Sequence, residues 1–234
     1  GTSFDASAIT GKSGDCGGNS GITFTTAATQ TATGTASFTW STHGWTTRVP
    51  LPQDDVVINN AFAAGRTVTQ DMPRMGKNIS WAGATGSPAW FFNNNGTIYG
   101  SVTLASGMTN TGSAVMLMEG RGSFTWTSAG VTWSNGFTVA MFGGTLTFQD
   151  AFLSSNSGTL TNGTWNFNDQ TTQFSQLTLS GSLTRTWTAG SGTMTLSTTG
   201  GTNVFNAATV TNLTVTATTG TIKLTGNSAN AQGF

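Results

Sequence analysis

The sequence predicts an all-β fold, and three observations carry that expectation. Threonine is its commonest residue, glycine occurs 32 times, and glutamate appears once while leucine and lysine are sparse. That composition opposes helix and favours strands separated by tight turns. Short runs such as RTVTQ, TIYGSVTL, SFTWTS, TLTFQ, TWNFN, RTWTA, TMTLS and LTVTA alternate apolar residues with Thr, Ser or Asn. This is the period of two that half-buried strands show. A Gly-Thr pair opens a strand-like run at Gly96, Gly144, Gly158, Gly163, Gly192, Gly201 and Gly220, with 29 and 28 residues separating Gly163, Gly192 and Gly220. Near-regular spacing of this kind argues for stacked coils, each burying its inward face only when the next coil covers it.

Residues 1–39 are rich in Gly, Ser, Thr and Ala, with GITFTT the one strand candidate, and are expected to form an irregular N-terminal segment or cap. The stretch RVPLPQDDVVINN follows. Pro50 and Pro52 fix φ and remove two backbone donors, so the chain enters extended, and Asp54 or Asp55 can accept backbone N–H bonds in the turn before VVIN. Residues 40–234 are expected to form one β-solenoid domain, in which Thr side chains stack between coils about 4.8 Å apart. An antiparallel β-sandwich or jelly roll is the competing arrangement, and the scarcity of two-residue hairpin turns tells against it. The opening GTSFDASAIT lacks an initiator Met, and the closing GNSANAQGF lacks a cap, so the chain is expected to be a fragment of a longer one.

Composition also narrows function. Charged residues make up 7% and balance to zero, so no electrostatic field gathers nucleic acid. No apolar run reaches the roughly 20 residues that span a bilayer as a helix. Cys16 is the one cysteine and His43 the one histidine, which leaves no zinc-type cluster, and THGW around His43 has the composition of a turn. No strand–glycine loop–helix fingerprint for a nucleotide is present, and no cofactor is expected.

The segment RVPLPQDDVV…DMPRMGKNISW, with the Thr/Gly-rich coils that follow it, resembles uncharacterised β-helical structural proteins of tailed bacteriophages. The resemblance covers roughly residues 40–234. It implies a right-handed parallel β-helix in a virion appendage such as a tail fibre, a virion or cell-surface location, and contact with neighbouring subunits or a host surface glycan. It implies no catalytic residue.

Adjacent Asp54 and Asp55 point to opposite faces of a strand, whereas paired acid/base catalysis needs carboxylates converging from different segments. Their expected role is therefore structural. A polysaccharide depolymerase of the tailspike type would have to draw on Asp71, Glu119, Asp150 and Asp169 from separate coils. Trp126 and Trp133 share strand faces with Phe124 and Val131 and are expected in the core, while Trp90, Phe91 and Phe92 form the candidate exposed aromatic cluster for a carbohydrate. Thr-x-Thr pairs recur, but an ice-binding face would need them on consecutive coils, and in the sequence they alternate irregularly with Trp and Phe. The expected function is a non-enzymatic structural or adhesive module, with a bacterial surface adhesin and a depolymerase as alternatives.

Overall fold

The computed structural model describes residues 3–9, 12–197 and 203–225. Its strands pair in parallel throughout, and the chain winds into a β-solenoid of about nine turns. Each turn contributes to three faces, taken in the same order. Face A holds Thr29–Thr31, Asp55–Val57, Ile79–Ser80, Val102–Thr103, Ser123–Thr127, the second halves of Gly136–Phe148 and Gly158–Asn166, Arg185–Gly190 and Leu213–Ala217. Face B runs from Phe38–Thr39 through Ala89–Phe92 and Thr109–Gly112, and resumes at Phe152–Leu153 to end at Thr221–Leu224, with a parallel bridge from Trp133 to Ser154 between the two parts. Face C holds Arg74–Gly76, Gly96–Ile98, Val115–Met118, the first halves of the two long strands, Leu177–Thr178 and Phe205–Asn206.

Coil length varies more than the glycine spacing suggested: within the solenoid, register partners range from 19 residues apart, as in Leu146 and Trp165, through 28, as in Thr193 and Thr221, to 30, as in Phe38 and Val68. Gly163 lies at the corner between faces C and A and registers with Arg185, whereas Gly192 and Gly220 precede face B strands, so the step from Gly163 to Gly192 is not a coil repeat. The Gly201–Thr202 pair and the closing GNSANAQGF fall outside the described residues. The ladder also begins before the expected boundary at residue 40, because Thr29–Thr31 pairs with Asp55–Val57 and Phe38–Thr39 pairs with Thr67–Gln70.

The inside of the coils is filled by aromatic rings. Trp40, Trp81, Trp90, Trp126, Trp133 and Trp165 are fully buried together with Phe92, Phe137, Phe148, Phe152 and Phe167. Neighbouring rings touch within and between coils: Trp90 to Trp133 at 5.9 Å, Trp133 to Trp126 at 5.1 Å, Trp126 to Phe137 at 5.2 Å, Phe137 to Trp165 at 5.5 Å and Trp165 to Phe167 at 5.2 Å between centroids. Most of these pairs are edge to face, which sets the positive ring edge against a negative ring face. That arrangement accommodates six indole N–H groups, those of Trp40, Trp81, Trp90, Trp133, Trp165 and Trp187, that have no hydrogen-bond acceptor among the described residues.

Candidate functional site

The carboxylates hold coils to coils. Asp54, fully buried, accepts the backbone N–H of Ala28 at 2.8 Å and of Leu51 at 2.9 Å, and the Arg48 guanidinium donates to it through Nε at 3.0 Å and Nη2 at 2.5 Å. Arg48 also donates to the Thr26 carbonyl at 2.9 Å, so one side-chain pair joins the first face A strand to the turn that precedes the second. Asp55 is exposed and, among the described residues, its side chain accepts the Asn78 side-chain amide alone, at 2.7 Å. The two neighbours thus diverge, as adjacent strand residues must.

Of the four acids that a depolymerase would draw on, Asp150 and Asp169 lie at the corner between faces A and B on successive coils, Asp71 lies between faces B and C, and Glu119 between faces C and A. Asp71 accepts the Ser41 N–H at 2.9 Å and the Ser41 hydroxyl. Asp150 accepts the N–H groups of Ser128 and Ala129, each at 2.7 Å. Asp169 accepts the Ser191 N–H at 2.6 Å, which holds its carboxyl below the usual carboxylate range through the Ser191 hydroxyl and amide. Each of these three joins its own coil to an adjacent one, and Glu119 lies apart from them at the corner between faces C and A. Among the described residues no three of His, Cys, Asp and Glu are gathered as metal ligands.

The aromatic cluster expected to meet a carbohydrate is corrected by the burial pattern. Trp90 and Phe92 are each 1% exposed and point into the core, where Trp90 packs on Trp81 and Trp133. Alternation within Ala89–Phe92 turns Phe91, alone of the three aromatic residues, outward, and it is half-buried. Trp126 and Trp133 lie in the core, as expected. His43 sits in the turn after Phe38–Thr39, stacked on Phe38 at 3.7 Å, and its Nε2 accepts the Thr33 N–H at 3.1 Å.

The concave feature that sequence did not indicate is the corner between faces C and A. Successive coils place Gln53, Lys77, Tyr99, Arg121 and Phe142 along it, and the N-terminal segment from Ser13 to Gly18 lies across its first half. Gln53 fastens that segment, accepting the Asp15 N–H at 2.8 Å and donating to the Ser13 and Thr25 carbonyls at 3.0 and 2.8 Å. At Gly18, φ is 80° and a Cβ would come within 2.5 Å of the Arg121 guanidinium carbon, so glycine lets backbone lie directly on that side chain. A hollow of about 240 Å³ lies between Asp15 and Cys16 of the segment and Lys77, Tyr99, Arg121 and Phe124 of the coils. Burial, with the adjacent Cys16 thiol, pushes the Tyr99 phenol well above its ordinary range, so it remains a neutral hydroxyl. Beyond the segment the corner is uncovered. Phe142 is 52% exposed there, with Arg121 5.3 Å over its ring, and borders a second hollow of about 350 Å³ with Asn162, Thr164, Thr184 and Thr186.

Compared with protein families, curated proteins and solved structures, the chain matches none. What it does is therefore argued from its own geometry.

Proposed function

We propose that the chain is a non-enzymatic structural and adhesive module: a stiff solenoid that presents the corner between faces C and A to a surface glycan. The observation that carries this reading is the use of the carboxylates. Asp71, Asp150 and Asp169, three of the four acids on which glycoside hydrolysis would have to draw, instead accept backbone N–H bonds from adjacent coils, as Asp54 does. The corner supplies what sugar recognition uses, an exposed ring at Phe142 beside a guanidinium, an amide and hydroxyls. The resemblance to phage appendage proteins supports a place in a virion or on a cell surface.

The test is a glycan-binding screen with reducing-end measurement in the same incubations, on capsule and lipopolysaccharide polysaccharides. Binding without release of reducing ends, lost in Phe142→Ala and Arg121→Ala while the fold is kept, is the expected result. Turnover that disappears when two of Asp71, Glu119, Asp150 and Asp169 are changed would refute it.

A further inference from the structure

The Thr-x-Thr pairs, irregular in sequence, become regular once the chain is wound. On face A, Ser123, Thr145, Thr164, Thr186 and Thr214 fall in one register column, and Thr125, Thr147, Asn166, Thr188 and Thr216 in a second. Of the residues between them, Leu146, Trp165 and Trp187 are buried, Phe124 is half-buried against the core and Val215, on the last described coil, is exposed, so the two Trp residues that break the pattern in sequence do not break the outer surface. Five consecutive coils therefore carry a two-column array of ten positions without one charge or aromatic ring.

The array differs from the rest of face A in its hydrogen bonding. In the preceding coils the equivalent polar groups are bonded to one another: Asn78 donates to Asp55 at 2.7 Å and accepts the Ser101 N–H at 2.8 Å. From Ser123 onward, none of the nine hydroxyls takes part in a hydrogen bond among the described residues. Asn166 alone is turned inward on the chain, its side-chain oxygen accepting the Asn168 N–H at 2.8 Å. Nine hydroxyls are thus left for water, each beside a methyl group except at Ser123.

Spacing decides what kind of water. Coils repeat at about 4.8 Å and alternate strand residues at about 6.6 Å. Both lengths lie near the oxygen repeats of ice surfaces, and a lattice of methyl and hydroxyl groups at that pitch holds water in ice-like order where charged groups would impose their own hydration. A crystalline polysaccharide would be met by exposed aromatic platforms, which this face lacks. We propose that face A between Ser123 and Thr216 is an ice-binding surface. The inference goes beyond the adhesive reading and uses residues outside its test: Phe142 and Arg121 lie off the array, and Thr147 and Thr188 lie off the corner hollows.

The experiment measures thermal hysteresis and ice-crystal shaping by the purified chain, with fluorescently labelled protein imaged on a growing ice hemisphere. The unmodified chain is expected to shape ice and coat it. Thr147→Lys with Thr188→Lys is expected to lose both effects, while Thr138→Lys with Thr159→Lys, on the outer surface of face C, keeps them. Near-UV circular dichroism verifies that each variant is folded; should the face A pair not fold, Thr147→Ser with Thr188→Ser serves, with weakened shaping expected. No ice shaping by the folded unmodified chain, or shaping undiminished by the face A changes, overturns the proposal. So does binding to crystalline chitin or cellulose without any effect on ice.

Discussion

Replacing Asp54 by alanine removes a fully buried carboxylate with four donors around it, two of them backbone amides and two from Arg48. The Ala28 and Leu51 N–H groups lose their acceptor, and the Arg48 guanidinium loses its one ion-pair partner among the described residues. Removing one member of a buried pair costs about 3–5 kcal/mol, because the other is left uncompensated. Arg48 keeps 19% side-chain exposure and its bond to the Thr26 carbonyl, which places the expected loss near the lower end of that range. For a chain of this size, each kcal/mol lowers Tm by roughly 2–4 °C. Thermal and urea unfolding followed by near-UV circular dichroism measures the loss, and amide exchange at Ala28 and Leu51 locates it. Asp55→Ala, which removes one exposed contact, serves as the control and is expected to change stability by less than about 0.5 kcal/mol. Equal effects for the two substitutions, or an Asp54→Ala chain as stable as the parent, would refute the assignment of Asp54 as the clasp of the first coils.

Three further outcomes are expected. Trp165→Ala leaves a cavity among Phe137, Phe148, Phe167 and Phe174 and should cost about 3–5 kcal/mol, seen in urea unfolding. Gly86→Ala, at a surface turn, should destabilise by at least about 1–3 kcal/mol from its φ of 83° alone, and more because the new Cβ would meet the Phe62 carbonyl oxygen at 1.8 Å. His43 is half-buried, and burial lowers its pKa, so the folded chain binds a proton less readily than the unfolded one. Its contribution is thus present above the ordinary imidazole value near 6.5 and is lost as pH falls below it; a Tm that drops between about pH 7 and 5, with the drop reduced in His43→Phe, is the expected profile.

How much of this could be seen in sequence depended on which residues obey a period of two. Most strands from Thr67 onward did, because most of their inward positions are apolar, although Gln70, Asn110, Thr172 and Arg185 are buried as well. Thr29–Thr31 did not, because its inward residue is Gln30, fully buried yet polar; its side-chain amide donates to the Thr47 hydroxyl at 2.9 Å and accepts the Thr47 and Arg48 N–H groups. A glutamine satisfied inside a coil looks like loop until its partners are known. Trp90 and Phe92 were misjudged because three aromatic residues in a row suggest an exposed cluster, although strict alternation already assigned two of them inward. Of the glycine steps, Gly192 to Gly220 is a true coil repeat and Gly163 to Gly192 is not, because Gly-Thr pairs open runs at different points of the turn. The corner hollows were out of reach altogether, since Lys77, Tyr99, Arg121 and Phe142 come together only once the coil length is known at each step.

The packed rings have an optical consequence. Indoles separated by 5 to 6 Å, as Trp81, Trp90, Trp133 and Trp126 are, exchange excitation faster than they emit. A photon absorbed by one of these indoles is shared among its neighbours before it is released. Emission from this rigid rod should therefore be depolarised although the rings themselves stay still, and polarisation should rise when the coils separate.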